Sequence, residues 1–498
     1  MSRSTFGLIL GPLLFIILMF VPQPEGLSEQ GMMVAGIAVL MAVWWISEAI
    51  PIPATALIPI VLYPLFGVMS PADVTQSYAH HLIFLFMGGF MIAVTVEKWN
   101  LHQRIALNTI RLVGMTPDRI ILGFMIATAF LSMWISNTAS TMMMMTVGLA
   151  VLHQIAKEID ADESTHSIDT REGHFRFGIA LMLGIGYSAS IGGISTLIGT
   201  APNLVFAGIV EDIYGVSINF LQWMSFGVPL AIVMLAITWF YLTRIAYPSE
   251  IDHLPGGEAT IRKEIEALGK ISSQEKKVLF VFCSVAVAWI LRGVLDIKAL
   301  QLIKDSTIAM AGALVLFVIP SNWQQREFLL DWKTAVTIPW DILILFGGGF
   351  ALAKGFSETG LTTFLAGQLS ILQGSNILFI IAVVTLLVIF LTELTSNTAT
   401  ASLTLPIMAA LAGAMQIHPY GLMVATVIAA SFAFMLPVAT PPNAIIFSSR
   451  YVTIPQMMKA GIWLNLIGVV LISLFVMFLL PVVWGIDISS FPEAYVSR

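Results

Sequence analysis

Ser132-Met133-Trp134-Ile135-Ser136-Asn137-Thr138-Ala139-Ser140 and Thr392-Glu393-Leu394-Thr395-Ser396-Asn397-Thr398-Ala399-Thr400 are one pattern written twice. Ser-Asn-Thr stands at the centre of each copy, and each copy interrupts a long apolar run. The two copies lie 260 residues apart, and the same offset relates Phe86-Met87-Gly88-Gly89-Phe90 to Phe346-Gly347-Gly348-Gly349-Phe350. Downstream, Gly199-Thr200-Ala201-Pro202-Asn203 resembles Ala439-Thr440-Pro441-Pro442-Asn443 at an offset of 240. The polar loop 157–176 can hold the roughly twenty additional residues of the first half. The chain therefore reads as a duplication with one polar site drawn from both halves.

Composition places that duplication in a membrane. Hydrophobic residues make up 58% of the 498 residues, charged residues only 10%, and the mean hydropathy is +0.91. Soluble domains carry about 25% charge. The single cysteine, Cys283, excludes a disulfide framework and a cysteine-based metal site. The net charge of −6 is scattered among loops and points to no nucleic-acid partner. Residues 6–22 run into Val-Pro-Gln-Pro-Glu without a cleavage pattern, so they read as a first spanning helix rather than a signal peptide.

Apolar runs of about 20 residues mark spans, which places helices near 6–22, 30–49, 52–68 and 80–97. An amphipathic stretch at 101–114 precedes two apolar arms, 119–135 and 139–156, within a hairpin region 117–156. A helix broken at its Gly/Pro-rich motif covers 177–211, and 221–245 spans again. The hydrophilic segment 246–276 reads as a cytoplasmic linker. Beyond it come 277–296, 306–320, 337–357, a stretch at 360–372, a hairpin 376–415, a broken helix 420–447 and a last span at 457–483. The domain plan is an N-terminal helix 1–29, a first repeat 30–245, the linker, and a second repeat 277–498. With the N-terminus cytoplasmic, eighteen of the 23 Lys and Arg residues fall on the cytoplasmic side. Arg292, Lys298, Lys304, Lys354 and Arg498 are the exceptions. About eleven spans then put the C-terminus outside. Inverted repeats with broken helices at matching places point to a secondary transporter. Charge counting does not choose between an exposed Ser-Asn-Thr turn and a re-entrant one. The lack of Gly, Pro or charge in either turn favours the re-entrant form.

Broken helices inside a bilayer leave carbonyls and amides that only protein, water or ligand can satisfy. Hydroxyl, amide and carbonyl oxygens suit a hard monovalent cation, while new helix N-termini suit an anion. No residue is charged from 120 to 156, none from 177 to 210, and only Glu393 between 376 and 449, so no Lys or Arg is expected beside the site. A buried anion would need bound cations as countercharge, which makes cation–anion symport the economical reading. A lone Ser-Asn-Thr is ordinarily helix-packing glue; two copies at fixed offset, each followed by a matching break, argue against that. The Gly runs near 88 and 347 read as close helix packing, Glu48 as structural, and His80 and His81 as solvated at the outer end of a span. Glu393, whose repeat mate is Met133, stays open between a structural and a functional role.

These residues resemble the divalent anion/sodium symporter family, which carries dicarboxylates, citrate or sulfate. The resemblance rests on the paired Ser-Asn-Thr, Ser190-Ile191-Gly192-Gly193 leading to Thr200-Ala201-Pro202-Asn203, Ser431-Phe432-Ala433-Phe434 leading to Pro437 and Asn443, and Trp44-Trp45 with Glu48-Ala49-Ile50-Pro51. It implies an all-α polytopic membrane protein, an inverted-repeat elevator transporter with two re-entrant hairpins, in a homodimer. It implies a first sodium site at Ser132, Ser136, Asn137 and Gly199, and a second at Thr392, Thr395, Asn397 and Ala439. It places substrate on Ser136, Asn137, Thr138, Thr200, Ser396, Asn397, Thr398, Thr440 and Pro441. Gly199 against Ala439 and Ala201 against Pro441 depart from strict symmetry but remove no ligand oxygen.

The expectation is a sodium-coupled importer of small dianions in the cell inner membrane, most readily four-carbon dicarboxylates such as succinate, with no organic cofactor. The alternatives are a citrate or sulfate symporter, a dicarboxylate exchanger, a channel, or a membrane serine hydrolase. The last requires a base near Ser136 or Ser396. His153, the only histidine of the first hairpin, lies about five helical turns from Ser136.

Overall fold

The computed structural model describes residues 2–114, 116–161, 168–251, 257–295 and 303–495. Among these the chain is helical almost throughout, with one two-stranded ribbon pairing Pro320–Asn322 with Glu327–Phe328. Among the described residues, nine helices are long and apolar enough to cross a membrane, or ten if the pair Leu361–Leu372 and Ile377–Thr392, bent by 119°, is one span. Two further expected spans are present as shorter apolar helices, Asp305–Val318 and Pro419–Ala429. Lys298 and Arg498, two of the basic residues placed outside, lie beyond the described residues.

The expected 52–68 span is not one helix. It is divided into Ile52–Thr55 and Ile58–Leu65. Pro59 near the start of the second piece has no N–H to donate, and its ring clashes with a helical carbonyl four residues back. The linker holds an unanticipated amphipathic helix, Gly257–Ala267. The remaining boundaries fall within a few residues of the apolar runs, because caps rather than hydropathy set them. Ser28 caps Glu29–Ser47, Ser272 forms a capping box with Glu275, and Thr453 does so with Gln456.

The Gly runs permit close approach. A Cβ on Gly88 would lie 2.6 Å from the Ala309 carbonyl carbon, and one on Gly348 would lie 2.4 Å from the Ala56 oxygen. Helix His81–Lys98 thus packs on Asp305–Val318, and Trp340–Glu358 packs on the Ile52–Thr55 turn.

The apolar arms form two helix pairs. Pro117–Ser132 turns back into Asn137–Ala161, and Ile377–Thr392 turns back into Asn397–Met415. Helix Asn137–Ala161 packs on Pro441–Ser448 from the far half, and Asn397–Met415 packs on Ala201–Tyr214. Each hairpin therefore leans on the broken helix of the other half, which brings both tips to one place.

Candidate functional site

Each tip is a helix start. Ser136 accepts a hydrogen bond at Oγ from Ala139 N–H at 3.2 Å, and its carbonyl takes Ser140 N–H at 3.0 Å. Ser396 caps Asn397–Met415 with its carbonyl alone, which accepts from Thr400 N–H at 2.9 Å and leaves the hydroxyl free of a capping bond. The two helix breaks make further starts at Ala201 and Pro441. All four N-termini border one cavity of about 410 Å³. Four converging helix starts present their N–H groups and partial positive ends to the part of that space between the tips.

Helix ends lie behind the tips. Pro117–Ser132, Ile377–Thr392, Arg176–Gly193 and Pro419–Ala429 finish there and turn their last carbonyls toward the breaks. Two asparagines absorb part of this carbonyl excess. Asn203 donates from Nδ2 to Thr196 O at 2.7 Å and Gly193 O at 3.3 Å. Asn443 donates from Nδ2 to Ala433 O and Leu436 O, both at 3.0 Å.

Of the residues expected to form the site, all but Ser132 and Thr392 line this cavity. Those two are fully buried just behind the tips. At the first tip, Ser132 Oγ and Asn137 Oδ1 are buried without a hydrogen-bond partner. A Cβ placed on Gly193 would meet Asn137 Oδ1 at 2.7 Å and Gly199 O at 3.2 Å. One placed on Gly199 would meet Gly193 O at 2.4 Å and Ser132 O at 2.9 Å. Oxygens thus gather around two glycines that have no side chain to fill the space between them. Such a donor set fits a hard cation such as sodium, and any larger residue at 193 or 199 would crowd it out.

The second tip has the same members in a different state. Thr392 Oγ1 lies 2.8 Å from both Asn397 Oδ1 and Ala430 O, and Thr395 Oγ1 lies 2.5 Å from Thr400 Oγ1. Here hydroxyls bridge the oxygens, with the single Thr392 proton shared between Asn397 Oδ1 and Ala430 O.

Glu393 has a clear structural role. Its carboxylate, buried, accepts from the N–H groups of Phe434, Met435 and Leu436 at 2.8, 2.9 and 3.1 Å, and from Asn465 Nδ2 at 2.7 Å. Three consecutive amides freed by the helix break are thereby satisfied, and the hairpin is pinned to the break. Met133, the repeat mate, contributes a backbone carbonyl instead, accepting from Thr196 Oγ1 at 2.6 Å.

Two expectations are corrected. A cation does reach the cavity: Arg3 lines it with Glu48 and Asp341, and donates to the carbonyls of Ile46 and Leu394. Arg3 was missed because it comes from the far N-terminus, 391 residues from Leu394; only its isolation at the start of an apolar helix marked it. His80 and His81 are not simply solvated. They are partly buried, with His81 Nε2 at 2.9 Å from Glu211 Oε2 and His80 Nε2 at 3.7 Å from Asp212 Oδ1.

The family described as "Sodium:sulfate symporter transmembrane region" matches residues 3–486. A protein of Staphylococcus saprophyticus named sodium-dependent dicarboxylate transporter SdcS is 46% identical over 97% of this chain and 92% of its own length. The SdcS of Staphylococcus aureus strain USA300 is 45% identical over 98% and 93%. Among solved structures, the Alcanivorax borkumensis YdaH transporter superposes with a TM-score of 0.57 at 12% identity, covering 97% of each chain. Neisseria gonorrhoeae MtrF, described with a class of antimetabolite efflux pumps, gives 0.56 at 13% identity over 95% of each. These two likenesses concern the fold alone. An all-helical polytopic chain with paired hairpin tips at one cavity, matched by the family over nearly its whole length and by relatives at 45–46% identity, belongs to the sodium:sulfate symporter family, the divalent anion/sodium symporters.

Proposed function

We propose that this protein is a sodium-coupled symporter of small dicarboxylates, four-carbon acids such as succinate. One observation carries the reading: two tips from opposite halves of the chain meet at one cavity, where helix starts favour an anion and unpartnered buried oxygens favour a cation. The names of the relatives SdcS point the same way.

In this reading the first sodium is held by Ser132, Ser136, Asn137 and Gly199, the second by Thr392, Thr395, Asn397 and Ala439. Substrate carboxylates lie against Ser136, Asn137, Thr138, Thr200, Ser396, Asn397, Thr398, Thr440 and Pro441. Transport proceeds by alternating access of elevator type, in a homodimer of the inner membrane. The hairpins, the broken helices, Phe220–Phe240 and Ile454–Leu474 slide against a frame that contains Glu29–Ser47, His81–Lys98, Asp305–Val318 and Trp340–Glu358. The Arg3 end of the cavity faces the cytoplasm. The two halves are inverted repeats, 30–245 and 277–498, joined by the 246–276 linker.

Linkage tests it. Sodium and succinate must raise each other's affinity by one common factor. In proteoliposomes and by thermal shift, replacing sodium with choline should abolish succinate binding and uptake, and omitting succinate should weaken sodium binding. Succinate affinity that does not change without sodium would sink the proposal.

A further inference from the structure

We propose that His80, His81 and Glu211 form a site for a divalent transition metal, zinc or a zinc-like ion, at the N-terminal end of helix His81–Lys98. His80 caps helix His81–Lys98, and Glu211 lies in the last turn of Ala201–Tyr214. One ligand atom from each lies within 4.8 Å of the others. Tetrahedral zinc with bonds of about 2.1 Å sets its donors about 3.4 Å apart, so a modest ring rotation completes the triad. Two imidazoles and a carboxylate are a donor set that zinc prefers over magnesium or calcium. Asp212, with Oδ1 at 3.7 Å from His80 Nε2, is within reach as a fourth ligand.

The place of the ion is now taken by an ammonium. Lys304 Nζ lies 2.6 Å from Glu211 Oε1 and 3.0 Å from His81 Nε2. His81 Nε2 faces both this ammonium, which can only donate, and Glu211 Oε2 at 2.9 Å, which can only accept; metal ligation takes the tautomer protonated at Nδ1, which leaves the Nε2 lone pair to the ion. The Lys304 side chain is 43% exposed and can leave for solvent. A neighbouring cavity of about 160 Å³ gives access. Arg292 and Asp305 beside it are paired with each other at 2.9 Å and do not compete. Metal binding is thus an exchange of Lys304 for a divalent ion, and Lys304 sets the affinity.

The ion would join His81–Lys98 to Ala201–Tyr214. On the elevator reading above, one of these helices is fixed and the other slides, so a bound ion holds the present arrangement and slows transport. That consequence rests on the elevator reading, while the binding does not.

The test uses full-length, tag-free protein titrated with ZnCl2 by calorimetry and with CoCl2 by visible absorption of the tetrahedral ion. One equivalent should bind, with affinity lowered about tenfold or more in His81→Ala and Glu211→Gln and raised in Lys304→Ala. Retention of the sodium-plus-succinate thermal shift shows that each variant is folded. No stoichiometric binding, or equal binding in wild type, His81→Ala and Glu211→Gln, overturns the site; an unchanged Lys304→Ala overturns the exchange. External ZnCl2 should slow succinate uptake by wild type and not by His81→Ala. Binding without slowing overturns the sliding seam and leaves the metal site standing.

Discussion

Asn137 Oδ1 is buried with no partner, whereas Asn397 Oδ1 lies 2.8 Å from the Thr392 hydroxyl, whose one proton it shares with Ala430 O. The first position is therefore open to a cation, and the second must break an internal bond to take one. Asn137→Ala removes an oxygen that bonds nothing in the protein, so folding should be spared. Losing one hydrogen-bond-like contact to a charge costs about 1.5–3 kcal/mol, roughly ten- to a hundredfold in sodium affinity. Sodium-dependent thermal shifts on folded Asn137→Ala and Asn397→Ala should show that loss and uptake should fail, with Met143→Ala and Leu403→Ala as controls that keep their sodium affinity. Normal coupled uptake by either asparagine variant would return Ser-Asn-Thr to the role of packing glue.

At the scale of elements, the hairpins and breaks were legible because short polar words interrupt apolar runs and recur at fixed offsets. The parts that were not legible depend on partners distant in sequence. Glu393 has no acidic mate, and its role becomes visible only when Phe434, Met435 and Leu436 present three amides to it. His81 meets Glu211 across 130 residues, and Arg3 meets Leu394 across 391. Hydropathy also could not divide 52–68, since proline geometry acts within an apolar composition. The Glu393 contacts carry a prediction of their own. Glu393→Ala leaves several buried N–H groups unsatisfied, each worth about 1–3 kcal/mol. Thermal unfolding should show a large loss of stability, and Glu393→Gln, which keeps one acceptor oxygen, a smaller one. Equal melting of Glu393→Ala and wild type would exclude the pinning role.

For the whole molecule, the cavity is open at the Arg3 end, where Val438 lines it and is 81% exposed. On the proposed orientation that end is cytoplasmic. With the native exposed Cys283 changed to Ser, a cysteine at Val438 should react with a membrane-impermeant maleimide added to the cytoplasmic side, more slowly once sodium and succinate are bound. Equal labelling from both sides, whatever the ligand, would indicate a channel.

The crossed packing of hairpins on the opposite broken helices also bears on how the chain is made. Helix Asn137–Ala161 leaves the ribosome about 280 residues before Pro441–Ser448, one of the helices it packs against. At about 5–20 residues per second that is a wait of roughly a quarter of a minute to a minute. Throughout it the first hairpin has its own oxygen cradle but no far wall. Biogenesis is thus a timed event in which the early half must be sheltered until the late half arrives. Synonymous changes that slow translation between 200 and 440 should lower the yield of folded protein without altering a single residue.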